Sequence, residues 1–140
     1  MVSRRTLRIP TPRVGLSRRR LISLADWTAL VHNAGFPIVG KLLDVKVRHW
    51  DLMLAVNVRA LLLLARAAHG ALKEAHGSIC AIASTAAEMT SVNLTGYSAS
   101  KAALVMLVQQ MSYEWGPDGI RANCVSPGMT RSRSTEKGLG

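Results

Sequence analysis

Three short apolar runs, at residues 28–32, 78–83 and 121–125, are separated by two long stretches with helical spacing, and any fold for this chain has to accommodate that alternation. Residues 28–32 end at Asn33-Ala34-Gly35 and read as a buried strand closing on a turn. A loop with Pro37 and Gly40 then leads to a helix expected over 48–74. Its positions Met53, Val56, Leu61, Leu64 and Ala68 lie broadly on one face, and Leu62 and Leu63 extend the apolar surface around it. A helix that apolar has two neighbours to satisfy, a sheet on one side and a second subunit on the other. Ala75-His76-Gly77 breaks it, and 78–83 is the next strand. The second helix, expected over 97–115, carries Ala102, Val105, Met106, Gln109 and Tyr113 on one side and Leu104, Leu107, Val108 and Met111 on another. Gly116-Pro117-Asp118-Gly119 ends it, and 121–125 is the third strand.

Chemistry concentrates in residues 84–101, which place a hydroxyl, a phenol and an ammonium near one another. Tyr97 and Lys101 are four apart and share a helix face. A phenol titrates near ~10, so it exchanges protons poorly at neutral pH unless a nearby cation favours its phenolate. Lys101 is the cation in reach. Ser84, delivered by the second strand, can hold a carbonyl or alcohol oxygen while Tyr97 passes the proton, which is general acid-base chemistry. Alone, a Tyr-x-x-x-Lys pair is common surface decoration.

The surrounding motifs give it company. Ser84, Tyr97 and Lys101, with His32-Asn33-Ala34-Gly35, Asn57-Val58-Arg59, the turn Gly116-Pro117-Asp118-Gly119-Ile120-Arg121 and Asn123-Cys124-Val125-Ser126-Pro127-Gly128, stand in the order and spacing of one family. Over residues 27–132 the chain resembles the short-chain dehydrogenases/reductases. The resemblance implies an α/β fold, a partial doubly wound, Rossmann-like parallel sheet with flanking helices over 21–132. It also implies NAD(P)-dependent hydride transfer between the nicotinamide and a small-molecule carbonyl or secondary alcohol. Under it, Tyr97 is the general acid or base, Lys101 lowers its pKa and binds the nicotinamide ribose, Ser84 holds the substrate oxygen, and Asn57 holds a water of the proton relay. Asn33, Ala34, Gly35, Pro127, Gly128 and Ser132 join Tyr97 and Lys101 in holding NAD or NADP. Read from the residue alone, Asn57 is a helix-interior amide facing a polar gap. His32 stands where the family has asparagine and is expected to be a packing residue at the strand end. The family further implies a homo-oligomer built through the two long helices.

The charge of +10 is unevenly placed: residues 1–20 hold seven arginines and no acid, whereas 21–130 hold eight Lys/Arg against seven Asp/Glu. The arm 1–20 and the tail 133–140 are expected to be disordered. The arm has three readings: a transit peptide, an electrostatic arm for nucleic acid, or a non-native start upstream of a truncated frame. It has no aromatic for base stacking and no recognisable binding motif, which disfavours nucleic acid. Cys80 and Cys124 lie in apolar runs, read as small core residues, and make no metal or disulfide spacing. A soluble, cytoplasmic protein is expected, because no secretory signal is visible and the stretch 52–68, interrupted by Asn57, Arg59 and Arg66, is too short for a bilayer.

Two parts of the family pattern are missing: the N-terminal glycine-rich cofactor motif, and the C-terminal lid after Pro127-Gly128 that shapes the substrate pocket. Gly15 is the only glycine before Gly35, so no glycine-rich turn to receive a pyrophosphate precedes it. The expectation is a truncated member with an incomplete cofactor cradle, an unpaired sheet edge and a tendency to associate. The alternative to an enzyme is a non-catalytic module that associates through the helices around 61–64 and 104–111.

Overall fold

The computed structural model of the protein describes residues 27–90 and 92–130. Ser132, the basic arm and the tail lie outside them. The elements run β1 (Ala29–His32), α1 (Val47–Leu54), a π-helical turn (Ala55–Arg59), α2 (Ala60–Glu74), β2 (Ser78–Ile82), a 3-10 turn (Thr85–Ala87), α3 (Thr95–Trp115), a second 3-10 turn (Gly116–Asp118) and β3 (Arg121–Val125).

The three strands form one parallel sheet in the order β1-β2-β3. Parallel neighbours cannot be joined by a hairpin, and the long helices supply the crossovers. Leu30 pairs with Ile79, and Ile79 with Ala122. These residues and Ala81 point to one face and are buried against Leu61, Ala65, Ala68 and Leu72 of α2 and Leu104, Val108 and Met111 of α3. On the opposite face Val31 and Val125 are 62% and 50% exposed. The described residues are thus the sheet and one helical layer of an α/β fold.

The helix expected over 48–74 is one continuous run, Val47–Glu74, but its buried stripe differs from the expected one. Met53, Asn57, Leu61 and Ala65 are buried, while Val56 and Leu64 are half-buried. A regular helix drifts when read every fourth residue, and the π-helical turn widens the coil at 55–59, so the four-residue spacing stays on one face. At 28 residues the run is also long and apolar enough, by length and composition, to cross a membrane, contrary to the expectation for 52–68. Its stripe packs on the sheet, as in the core helix of a globular domain.

α3 starts at Thr95, two residues ahead of the expected Tyr97. The early start brings Gly96 against Met53 and Trp50 of α1. Of its two apolar sides, the one with Leu104, Val108 and Met111 is buried, while Met106 and Tyr113 are 63% and 82% exposed. At the far end of the layer, Asp118 is paired with Lys73 Nζ at 2.6 Å and His69 Nε2 at 3.1 Å, joining α2 to the turn after α3.

Gly77 is where α2 hands over to the sheet. Its N–H donates to Leu72 O at 2.8 Å and its carbonyl accepts from Arg121 N at 3.1 Å. A Cβ there would stand 2.8 Å from Thr28 O and 2.9 Å from Leu72 Cδ2. The first of these is backbone and cannot swing aside. Gly77→Ala is therefore expected to cost about 2–3 kcal/mol, the usual penalty for forcing atoms into a packed site, read as a lower urea midpoint at unchanged slope.

Candidate functional site

The carboxyl ends of the three strands gather the residues singled out above. β1 runs out into Asn33-Ala34-Gly35, β2 into Ser84, and β3 into Pro127-Gly128. This is the edge where open parallel sheets bind ligands. The last two segments are stitched together by Ala83 N donating to Val125 O at 2.8 Å and Thr85 N donating to Pro127 O at 3.0 Å. Ser84 is extended, and its Oγ accepts from Ala86 N at 3.2 Å, capping the 3-10 turn that leads the chain away from the sheet.

Opposite these ends, α3 presents Tyr97, Ser100 and Lys101. Lys101 is only 3% exposed. Its Nζ donates to Ile82 O at 2.7 Å and lies 5.6 Å from the centre of the Tyr97 ring. Burial pushes the ammonium below the usual lysine range, partly offset by Cys124. A Cβ on Gly35 would come within 3.0 Å of this Nζ and 3.3 Å of Asn57 Oδ1, so the bare glycine backbone lets the strand end approach both groups.

Asn57 is fully buried in the π-helical turn. Its Oδ1 accepts from Phe36 N at 3.1 Å, and its Nδ2 donates to Phe36 O at 3.2 Å and to Ser100 Oγ at 2.9 Å. The amide therefore faces protein groups rather than an open polar gap. Ser100 Oγ in turn donates to Tyr97 O at 2.7 Å. One connected set of bonds thus runs from the loop after β1, through the π-helical turn, to the first turns of α3.

The structure places Asn57, Gly35, Tyr97 and Lys101 in one cluster, with Ser84 delivered to the same edge by β2. Asn33 and Gly128 are exposed, and Ala34 and Pro127 half-buried, at the rim. Two participants escaped the sequence reading. Ser100 is one, and its signal was a hydroxyl three residues after Tyr97, placed to bond back to that carbonyl. His32 is the other. Expected only to pack, it is 2% exposed, and its Nε2 has no partner.

Burial is the main reason the His32 imidazole is held below its ordinary range; the nearby Asn57 backbone opposes this, and Lys101 adds to it. An unfolded histidine takes a proton below about 6.5, while the folded chain resists it. The stability that this supplies is full above that pH and is lost as pH falls toward the lowered folded value. The thermal midpoint is expected to decline between pH 7 and 5, and to decline less in His32→Asn, which removes the titrating group.

Residues 24–139 match the family model described as Enoyl-(Acyl carrier protein) reductase. The chain is 38% identical over 105 residues to Dehydrogenase/reductase SDR family member 4 of Oryctolagus cuniculus, covering 74% of this chain and 40% of that protein. It belongs to the short-chain dehydrogenase/reductase family. Among other members, it is 36% identical over 111 residues to the Inactive 2-(S)-hydroxypropyl-CoM dehydrogenase 2 of Xanthobacter autotrophicus, covering 79% of this chain and 48% of that one. The solved structure of 4-hydroxyisoleucine dehydrogenase complexed with NADH matches with a TM-score of 0.75 and 28% identity, over 84% of this chain and 53% of that one. This short-chain dehydrogenase/reductase chain thus spans about half the length, or less, of the relatives it matches. The family is one of Rossmann-fold oxidoreductases, and a nicotinamide cofactor is seen in one of its solved members.

Proposed function

We propose that the protein is an NAD(P)-dependent oxidoreductase acting on a small-molecule carbonyl or secondary alcohol, with Tyr97 as general acid or base. The observation that carries this is the buried Lys101 ammonium beside the Tyr97 ring, at the carboxyl edge of a parallel sheet. A phenol placed there can give a proton to, or take one from, a carbonyl or alcohol oxygen. Ser84 holds the substrate oxygen. Lys101 also binds the nicotinamide ribose, and Asn57 keeps Phe36 and Ser100 in place behind the pair. The nicotinamide end of a cofactor fits the residues present, because Gly35 leaves its backbone open next to Lys101 and Pro127-Gly128 lines the neighbouring strand end. Asn33 and Ala34 stand at the same rim, and Ser132 joins them in holding the cofactor by resemblance alone. When bound, the cofactor supplies or accepts the hydride. The pyrophosphate end has no glycine-rich turn in this sequence to receive it.

The test is a fluorescence titration of NADH and NADPH against the 140-residue chain, with circular dichroism confirming the fold. Saturable binding is expected for one of the two. A folded chain that binds neither would favour a second reading, a non-catalytic module that associates through its helices. That reading is supported by the relative named as inactive and by the exposure of Leu63 and Met106, 59% and 63%, on the outer faces of α2 and α3.

A further inference from the structure

The two loops that leave the carboxyl ends of β1 and β2 carry apolar side chains that the fold does not use. Val39, Leu42 and Leu43 lie in the first loop and Val47 opens α1, while Met89 and Val92 lie in the second loop; all six are between 65% and 97% exposed. Gly40 N donates to Asn93 O at 2.8 Å, which ties the two loops together beside these residues. Leu43, at 97%, touches almost nothing of its own chain, so the patch protrudes and is not a groove. Basic side chains interrupt it: Lys41, Lys46 and Arg48 are exposed, with Asp44 between them and Glu88 in the second loop as the acids. Lys46 is also the N-cap of α1, where a side-chain acceptor is usual, and its side chain makes no cap bond. The first turn holds Arg48 and no acid. A cation at that end opposes the helix dipole, so the turn gains from an anion supplied from outside the chain. A lipid surface answers both features without needing a matching shape, since valine and leucine enter the acyl boundary while lysine and arginine reach the headgroups.

We propose that residues 39–48, with Met89 and Val92, form a docking surface for an anionic phospholipid bilayer, at the same edge of the sheet as the candidate site. The proposal does not rest on the oxidoreductase reading, and its test needs neither cofactor nor turnover. The 140-residue chain is titrated with phosphatidylcholine vesicles, with and without phosphatidylserine, and bound protein is measured by co-sedimentation. Partitioning onto the mixed vesicles is expected. Leu42→Ser/Leu43→Ser is expected to lower the partition coefficient about tenfold or more, because two aliphatic side chains no longer leave water. Lys41→Gln/Lys46→Gln is expected to lower it about tenfold on the mixed vesicles and to leave phosphatidylcholine alone unaffected. Met106→Ser, on the outer face of α3, is expected to keep the parent value. The seven arginines of residues 1–20 can also bind anionic vesicles by charge, so hydrogen exchange of the unaltered chain locates the contact and decides the matter should a variant fail to fold. Slower exchange in 39–48 is expected when mixed vesicles are added. A folded chain that does not bind, or one whose binding survives Leu42→Ser/Leu43→Ser with protection confined to 1–20, would overturn the proposal. Protection of 39–48 that grows with protein concentration in the absence of lipid would overturn it too, and would assign the surface to a second copy of the chain.

Discussion

Tyr97→Phe is expected to lower kcat on a carbonyl substrate about a thousandfold, within the usual range for removing a positioned general acid or base, while leaving the fold intact. The local hydrogen bond from Ser100 Oγ ends on the Tyr97 backbone carbonyl, which phenylalanine keeps. The ring that packs 5.6 Å from Lys101 Nζ also remains. The loss should therefore fall on kcat, with little change in KM or in the thermal midpoint. Lys101→Met makes an informative comparison. It removes the ammonium beside the phenol ring but also strands Ile82 O, which now accepts from Nζ at 2.7 Å, so activity and stability should fall together. Turnover retained in Tyr97→Phe would sink the assignment of the phenol as the proton carrier.

Asn57→Leu is expected to cost about 3–5 kcal/mol, although the two side chains are close in volume. Leucine leaves Phe36 N, Phe36 O and Ser100 Oγ without the partners they have at 3.1, 3.2 and 2.9 Å. Each buried polar group left unpaired costs about 1–3 kcal/mol, with some relief from relaxation at the half-buried loop. Against a total stability of about 5–15 kcal/mol for an ordinary domain, this is enough to unfold much of the population. Urea denaturation measures it directly. A cost below about 1 kcal/mol would show that the loop after β1 does not depend on the amide. The same measurement separates the two roles given to Asn57: a residue serving only a proton relay would lose activity on substitution without losing stability.

The two predictions differ because the structure treats the residues differently. Tyr97 is half-buried and its side chain makes no hydrogen bond among the described residues, whereas the Asn57 side chain makes three hydrogen bonds inside the protein. The sequence reading put both in one catalytic set. It had no means of seeing that Asn57 ties the loop after β1 to α3 while Tyr97 is joined to the fold only through its backbone carbonyl and ring.

Much of the architecture was legible because burial leaves a local record. The short apolar runs at 28–32, 78–83 and 121–125 mark the three strands, and the runs ending at Gly77 and Gly116 mark helix ends. The order of Ser84, Tyr97 and Lys101 among the other motifs was sufficient to name the family. The stripe of α1 and α2 was misread at Val56 and Leu64 because a π-helical turn shifts the register, and no composition rule announces one.

From the sequence alone came the element order and the candidate site residues, since each depends on residues a few positions apart or on the order of short motifs. Tertiary structure decided the rest: that Asn57 bonds Ser100, 43 residues away, and Phe36, 21 away, and that Lys101 turns to Ile82 O, 19 away. It also decided that His32 is buried and that Gly77 is hemmed in by Thr28. These contacts join separate elements, and their geometry follows from how helices seat on the sheet, which residue spacing along the chain does not encode.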